Sequence, residues 1–246
     1  MPKVRCEEML PHELVAARDA RPVAYLPVGR LEWHGRHLAW GNDAVKAHGM
    51  CVRMAEAIGG VVYPALYYGD DPSAIADLHF PNGEEISRAL GVDRTNFALP
   101  EGGRDWRLYE DLLQAIFWEI ERYGFRVLVV LTGHYPLKGP AQQAAEAYTK
   151  DHALKVIVMI GVDQIGDLGF KGDHAAKWET SALLALRADL VDLRRLDGAE
   201  EPPLGVMGED PRQASAAYFE EGMKQIIARV RKEVEAVLRQ EGRDAR

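Results

Sequence analysis

Carboxylates and imidazoles, the side chains that bind divalent cations, are concentrated in one short stretch of this sequence. Glu32, His34, His37 and Asp43 lie within twelve residues, directly after the apolar run VAYLPV. Glu32 and His34 are two residues apart, so in an extended segment both project to the same side. Asp43 stands at the expected start of a helix, where backbone N–H groups can orient its carboxylate. This donor set suits a borderline cation such as Zn²⁺ or Mn²⁺.

Further candidate ligands follow two other apolar runs. His134 comes after FRVLVVL, and His174 and Glu179 come after KVIVMI and a Gly/Asp-rich loop. In open α/β sheets, sites form beyond the carboxyl ends of the strands, so these side chains are expected to converge. Two carboxylates and two imidazoles could hold one ion. With Glu179 and one bridging carboxylate, the set could hold two ions roughly 3.5–4 Å apart.

The elements that would position these residues alternate between strand and helix. Short apolar runs predict strands over residues 23–28, 61–67, 125–131 and 155–160. Helical patterns cover residues 7–19, 43–58, 84–90, 105–123, 139–152, 178–189 and 210–240. The helix over 105–123 has its apolar positions at Leu108, Leu112, Ile116 and Ile120, and Leu10, Leu14 and Val15 share one face of the first helix. The alternation predicts an α/β fold with a mostly parallel sheet and helices on both faces, in a single domain of residues 1–246.

The overall composition excludes several classes of protein. The chain has 246 residues, of which 47% are hydrophobic, and a formal net charge of -8. No Lys/Arg-rich block is present, so nucleic acid and anionic membranes are not expected partners. No apolar run approaches the ~18 residues of a membrane span. Cys6 and Cys51 give no disulfide framework, which favours a reducing cytoplasm. We therefore expect an intracellular, soluble protein, with the cytoplasm as its simplest location.

Four segments of the sequence resemble those of one enzyme family. LPVGRLEWHGRHLAWGND closely resembles PxGSxEQHGPHLPLxTD, the signature of the creatininase (creatinine amidohydrolase) family. LTGHYPLKG falls where that family has an NGH turn after a central strand. DHAAKWETSALL resembles its HAGxxETS segment, and GVMGEDPRQASAAYFEEGM resembles its GDPxxAS helix start. The segments occur in the family's order and cover most of the chain.

The resemblance implies a three-layer α/β/α sandwich and a divalent-metal hydrolase. It implies a homo-oligomer, a hexamer or a trimer, and one or two ions per subunit, with Zn²⁺ expected first and Mn²⁺ or Fe²⁺ as alternatives. The implied metal ligands are Glu32, His34, Asp43 and His134, with Asp43 bridging. Glu179 would be a further ligand or a base. His174 would be the catalytic acid or base, supported by Asp173 or Glu179.

Departures from the family pattern concern the substrate. Creatininase has Glu two residues after the histidine of its NGH turn, where this chain has Pro136. Asp173 replaces the Glu before the catalytic histidine, and Phe170 replaces a tryptophan. Creatinine is therefore not the expected substrate, whereas other cyclic amides and related C–N compounds are. Tyr135, Phe170 and His79 are predicted to contact the substrate, His79 from the same or a neighbouring subunit.

Two other functions fit the same residues. The first is metal-dependent opening of a cyclic ketone, derived from a sugar or an inositol, by cleavage of a C–C bond. The second is non-catalytic binding of a metal or small ligand on the same fold. The long polar segment 68–103, together with Trp106 and Tyr109, is predicted to cover a site or form an interface, because structureless connections of that length are uncommon.

Overall fold

The structure is a computed structural model that describes residues 3–69, 83–91, 107–198, 201 and 203–244. His79, Trp106 and most of segment 68–103 lie outside these residues, so the predictions made for them are not addressed by the structure. Within the described ranges, no helix combines the length and the apolar character needed to cross a membrane.

Within the described residues, four parallel strands form the central sheet in the order β2-β1-β3-β4. They are β1 (Val23–Val28), β2 (Val61–Val62), β3 (Val127–Thr132) and β4 (Lys155–Met159). Every residue of β1 and β3 is buried, as expected for apolar strands covered on both faces. Val28 pairs with Thr132, so the carboxyl ends of the two central strands lie side by side.

Helices cover both faces of this sheet and complete three layers. They are α1 (Pro11–Ala20), α2 (Asn42–Ile58), α3 (Gly83–Leu90), α4 (Arg107–Arg122), α5 (Lys138–Tyr148), α6 (Lys177–Leu186) and α7 (Ala216–Asp244). Helices α2, α6 and α7 share one hydrophobic cluster with the sheet, and α4 and α5 share the cluster on the opposite face. The predicted α/β sandwich with a parallel sheet is confirmed.

The second strand is shorter than the predicted 61–67. Regular pairing ends at Val62, and an isolated bridge between Val28 and Leu66 follows. Pro64 lies between them and has no N–H group to donate to a ladder. The amide of Leu66 donates to the Pro27 carbonyl at 3.0 Å, so the chain returns to the sheet edge after the interruption.

Helix α4 buries only the C-terminal part of the predicted face, where Ile120 is buried and Ile116 packs against the core. Leu108 and Leu112 are 81% and 47% exposed, whereas Tyr109, Leu113 and Phe117 are buried. Both sets recur at four-residue spacing, so periodicity did not distinguish them. The set that includes two aromatic rings removes more apolar area from water and faces the sheet. The prediction of Tyr109 as interface material is therefore wrong, because its ring is 6% exposed and packs in the core.

The boundaries of the first and last helices also differ from prediction. Helix α1 begins only at Pro11, Leu10 and Val15 are exposed, and Leu14 alone of the predicted face packs against the core. Helix α7 begins at Ala216 and not at residue 210. The preceding residues form a separate 3-10 turn, in which the Asp210 carboxylate accepts from the Arg212 amide.

A carboxylate at the end of α4 ties this helix to the start of β4. Glu121 accepts from the Tyr148 hydroxyl at 2.5 Å and from His152 Nδ1 at 2.8 Å. It also accepts from the amides of Ala153 and Leu154 at 2.8 and 2.9 Å. Burial alone would raise the pKa of Glu121, but these donors outweigh it and lower the pKa below its ordinary value.

Candidate metal centre

The first turn of α2 rests directly on the ends of the two central strands. A Cβ atom on Gly29 would lie 2.4 Å from the Ala44 amide nitrogen, and one on Gly133 would lie 2.1 Å from the Asp43 carbonyl oxygen. Only glycine leaves room for so close an approach of two backbones. The sheet edge thus places Asp43 beside the loop that follows β1 and the turn that follows β3.

Three ligand-type residues meet at one position on this edge. His134 Nδ1 lies 2.9 Å from Glu32 Oε1 and 3.3 Å from Asp43 Oδ2. All three residues are buried, and one ligand atom from each lies within 4.8 Å of the others. They follow β1, begin α2 and follow β3, so the predicted convergence of strand ends brings them together.

His34 and Glu179 form a second group on the other side of Asp43. His34 Nε2 lies 3.0 Å from Asp43 Oδ1 and 3.4 Å from Glu179 Oε2. The two oxygens of Asp43 therefore face different imidazoles, Oδ1 toward His34 and Oδ2 toward His134. The prediction that backbone N–H groups orient Asp43 differs from what is observed, because its contacts in the described part of the chain are with neighbouring side chains.

A buried lysine, which the sequence reasoning missed, completes this second group. Lys46 is 6% exposed, and its ammonium contacts Glu179 Oε1 in a short ion pair and lies 3.8 Å from Asp43 Oδ1. Burial lowers the pKa of Lys46, but the charge of Glu179 outweighs it and raises the pKa above its ordinary value. The signal was present in the sequence: Lys46 follows Asp43 by three residues, which places both on one face of α2.

The loop before α6 positions the Glu179 carboxylate beside His34 and Lys46. Glu179 Oε2 accepts from the amide of Ala175 at 2.8 Å, and Ala175 has a φ of 53°, which is unusual for a residue with a side chain. Asp173 accepts from the amides of Trp178 and Glu179 at 2.6 and 3.2 Å and thereby caps α6. Burial and the Glu179 charge raise the pKa of Asp173 to about 7.

His174 is held by a backbone carbonyl. Its Nε2 donates to the Trp33 carbonyl oxygen at 2.7 Å, and its Nδ1 lies 3.7 Å from Glu32 Oε1. Its ring stacks on that of His34, with centroids 4.3 Å apart. The predicted support from Asp173 or Glu179 stays a prediction: Asp173 caps α6, and burial lowers the pKa of His174 while the charge of Glu179 opposes that shift.

The charged side chains of this cluster strongly shift one another's pKa values. Burial lowers the pKa of His34, yet the charges of Asp43 and Glu179 outweigh it and raise the pKa to about 9. Burial also lowers the pKa of His134, and contacts with Asp43 and Glu32 raise it to about 9. Burial opposes the charge of Asp43, but the two imidazoles hold its pKa well below the ordinary value.

A cleft of about 270 Å³ opens above these residues. Its walls include Tyr135, which is 47% exposed and donates through its hydroxyl to Asp163 Oδ1 at 2.8 Å. Phe170 is placed elsewhere: it is 9% exposed, packs against Trp178 and Tyr218, and is absent from the residues that line the cleft. Its apolar ring finds aromatic partners in the core, so the prediction that it contacts substrate does not fit its position.

The hydrogen bonding of His34 bears on whether this cluster suits a metal ion. Its Nδ1 donates to the Glu32 carbonyl at 3.2 Å, so in the neutral ring Nε2 is an acceptor. This acceptor faces Asp43 Oδ1 at 3.0 Å. Glu32 Oε1, His34 Nε2 and Asp43 Oδ2 are buried and make no hydrogen bond of acceptable geometry within the described residues. Facing acceptors need a proton or a cation between them, and imidazole nitrogens with carboxylate oxygens are the ligands that Zn²⁺ and Mn²⁺ take.

The chain is similar to known proteins of one family. The family model described as Creatininase, creatinine amidohydrolase, matches residues 7–87 and 105–234. A creatinine amidohydrolase of Pseudomonas putida is 32% identical over 225 residues, which cover 82% of this chain and 79% of that protein. A crystal structure of creatinine amidohydrolase (creatininase) superposes with a TM-score of 0.73 at 25% identity, covering 95% of this chain and 97% of that one.

A second solved structure, described as Creatininase Mn, has a TM-score of 0.72 at 25% identity and covers 95% of this chain and 98% of that one. The family model and the curated relative each span most of the sequence, and the solved structures share its fold. The chain therefore belongs to the creatininase family of metal-dependent amidohydrolases.

Proposed function

We propose that this protein is a divalent-metal-dependent hydrolase that cleaves an amide or related C–N bond of a small cyclic substrate. One observation carries the proposal: two buried carboxylates and an imidazole, those of Glu32, Asp43 and His134, converge below a cleft of about 270 Å³. Three protein ligands with an open position are typical of catalytic metal sites. A cleft of this size suits a compact substrate and not a polymer.

Glu32, Asp43 and His134 would hold the ion, with His34 and Glu179 on the far side of Asp43. The ion would lower the pKa of a bound water and polarise the substrate carbonyl. Zn²⁺ suits the donor set, Mn²⁺ is supported by the solved relative described as Creatininase Mn, and Fe²⁺ is a further alternative.

His174 would move the proton in this reaction. Its Nε2 carries a hydrogen toward the Trp33 carbonyl, so in the neutral ring Nδ1 is the basic atom on the side of Glu32. From there it can accept a proton and pass it to the leaving nitrogen. Asp173 and Glu179 would position the loop that carries His174. Asp173 caps α6, and Glu179 accepts a hydrogen bond from the amide of Ala175, the residue after His174.

The side chains that line the cleft support the choice of substrate. Tyr135, Pro136 and Met207 line it beside His134 and His174. Pro136 offers neither a charge nor a hydrogen-bond donor, which favours a substrate other than creatinine. Contact between His79 and the substrate stays a prediction from the sequence.

Removal of the metal tests this function. Exhaustive chelation should abolish hydrolysis of a panel of cyclic amides, formamides and creatinine, and Zn²⁺, Mn²⁺ or Fe²⁺ should restore it. Glu32→Gln should lose both metal and activity, whereas Glu56→Gln, at an exposed position on α2, should lose neither. Full activity of the metal-free protein would refute the proposal. Release of ammonia, an amine or formate separates C–N cleavage from ring opening of a ketone.

Three further predictions from the sequence remain proposals. They are a homo-oligomer, a single domain over residues 1–246 and a cytoplasmic location. Leu108, Leu112 and Trp118 expose apolar surface on α4, which supports association of subunits. Light scattering tests the first, and a particle of about the sequence mass, 27.4 kDa, would contradict it.

A further inference from the structure

We infer that the Lys46 ammonium takes the place of a second metal ion, so that this centre binds one divalent ion per chain. The inference rests on the proposed function, since it concerns the metal content of the same site. It is carried by the position of Lys46, by the contacts of Glu179 and by the balance of buried charge.

Lys46 is located beside the position where a second ion would bind, on the side of Glu179 Oε1, whereas His34 faces Oε2. The ligand atoms on that side of the centre belong to His34, Asp43 and Glu179, which lie within 4.8 Å of one another. The ammonium contacts two of these three residues, Glu179 at Oε1 and Asp43 at Oδ1. Its shortest distance to Asp43 is to Oδ1, whereas Oδ2 is the oxygen directed at His134. The first position, between Glu32, Asp43 and His134, is therefore left open to a metal.

Both oxygens of Glu179 already have donors. Oε1 accepts from Lys46, and Oε2 accepts from the amide of Ala175 at 2.8 Å. Oε2 keeps a lone pair for a metal, but an ion bound there would lie beside the buried ammonium of Lys46, which is 6% exposed, and would be repelled by its charge. Pro136, which lines the cleft two residues after His134, supplies no ligand atom that would compensate.

The balance of charge also favours a single ion. The carboxylates of Glu32, Asp43 and Glu179 carry three negative charges, which one divalent ion and the Lys46 ammonium neutralise together. Arg30 adds a positive charge 3.7 Å from Glu32 Oε2, and Asp173 adds a carboxylate beside α6. A second divalent ion beside the Lys46 ammonium would leave a buried excess of two positive charges, which is strongly unfavourable at low dielectric, whereas two ions without the ammonium would leave an excess of one.

Metal content measured by mass spectrometry tests the inference on the full-length protein. The chelated protein is reloaded with excess Zn²⁺, or in parallel with Mn²⁺, and passed through a desalting column at neutral pH. Wild type should retain one ion per chain. Lys46→Met keeps the length of the side chain but removes its charge, so it should retain two. Lys150→Met, at an exposed position after α5, is the matched control and should retain one.

A spectroscopic readout separates the same alternatives independently of activity. Two Mn²⁺ ions roughly 3.5–4 Å apart couple magnetically, whereas a single ion gives an isolated spectrum. Mn²⁺-loaded wild type should give the isolated electron paramagnetic resonance signal, and Lys46→Met should give the coupled one. Two retained ions or a coupled signal in wild type would overturn the inference while leaving the proposed function intact. Retention of one ion by a folded Lys46→Met would also overturn it. Wild type that binds no ion would overturn both proposals.

Discussion

The close contact between Gly133 and α2 allows a sharp test of how the fold positions Asp43, a proposed metal ligand. Gly133 follows β3 and precedes His134, and its hypothetical Cβ lies 2.1 Å from the Asp43 carbonyl oxygen and 2.7 Å from the Asp43 carbonyl carbon. Side-chain carbons essentially never come within 3.0 Å of such atoms. In Gly133→Ala, the two backbones must therefore separate by about 1 Å, because neither contact is with a flexible side chain.

That displacement has two measurable consequences. Overpacking of this kind costs about 1–3 kcal/mol of stability. The separation also moves Asp43 and His134 apart, and changes that disturb the orientation of ligands weaken metal affinity by about 10–100-fold. Urea unfolding of the metal-free variant measures the first effect, and competition with a chromophoric chelator measures the second.

Gly139→Ala is the matched control for this experiment. Gly139 lies in α5, and a Cβ atom there would meet no atom within 4 Å. Alanine is favoured over glycine in helices by up to about 1 kcal/mol, so this variant should be as stable as wild type or more so, with unchanged metal affinity. Wild-type stability together with wild-type affinity in Gly133→Ala would refute the account of why Asp43 lies where it does.

Two further predictions concern titration. Glu121→Gln should lower the free energy of unfolding by about 1.5–3 kcal/mol at pH 7, because the donors around Glu121 bond a charged carboxylate. The pKa of Glu121 in the folded protein lies below its ordinary value of about 4.3. The stabilisation is therefore fully present above that ordinary value and is lost as the pH falls through the folded pKa. Urea unfolding should thus show the difference from wild type narrowing in acid, and a constant difference would contradict the role given to Glu121. Without metal, His34 and His134 have pKa values of about 9, so at pH 7 both are protonated and an entering ion must displace protons. Metal affinity should rise between pH 7 and 9 by about tenfold per pH unit for each proton released. Calorimetry in buffers of different ionisation enthalpy counts those protons. An affinity that does not change with pH would contradict the displacement of protons by the ion.

Much of the candidate site could be predicted because parallel strands end at a common edge. Glu32, Asp43 and His134 follow or flank strand ends, and the sheet brings them together although His134 is about a hundred residues distant in sequence. The boundaries of helix α2 and strand β1 were predicted to within one residue, because an apolar run marks the strand and Gly59-Gly60 ends the helix.

What could not be predicted depends on contacts between distant segments. The pairing of Lys46 with Glu179 spans 133 residues, and that of His174 with the Trp33 carbonyl spans 141. The buried face of α4 was ambiguous for a related reason, since two sets of residues share the same spacing and only the packed neighbour selects one.

The sequence by itself determined the α/β fold, the family and the set of residues proposed to bind a metal, because these depend on local patterns and on the order of segments along the chain. The tertiary structure decided how those residues are arranged around Asp43: Glu32 and His134 on the side of Oδ2, and His34, Glu179 and Lys46 on the other side. That arrangement is a matter of distances and of which buried charges face each other, and no local pattern in the sequence encodes it.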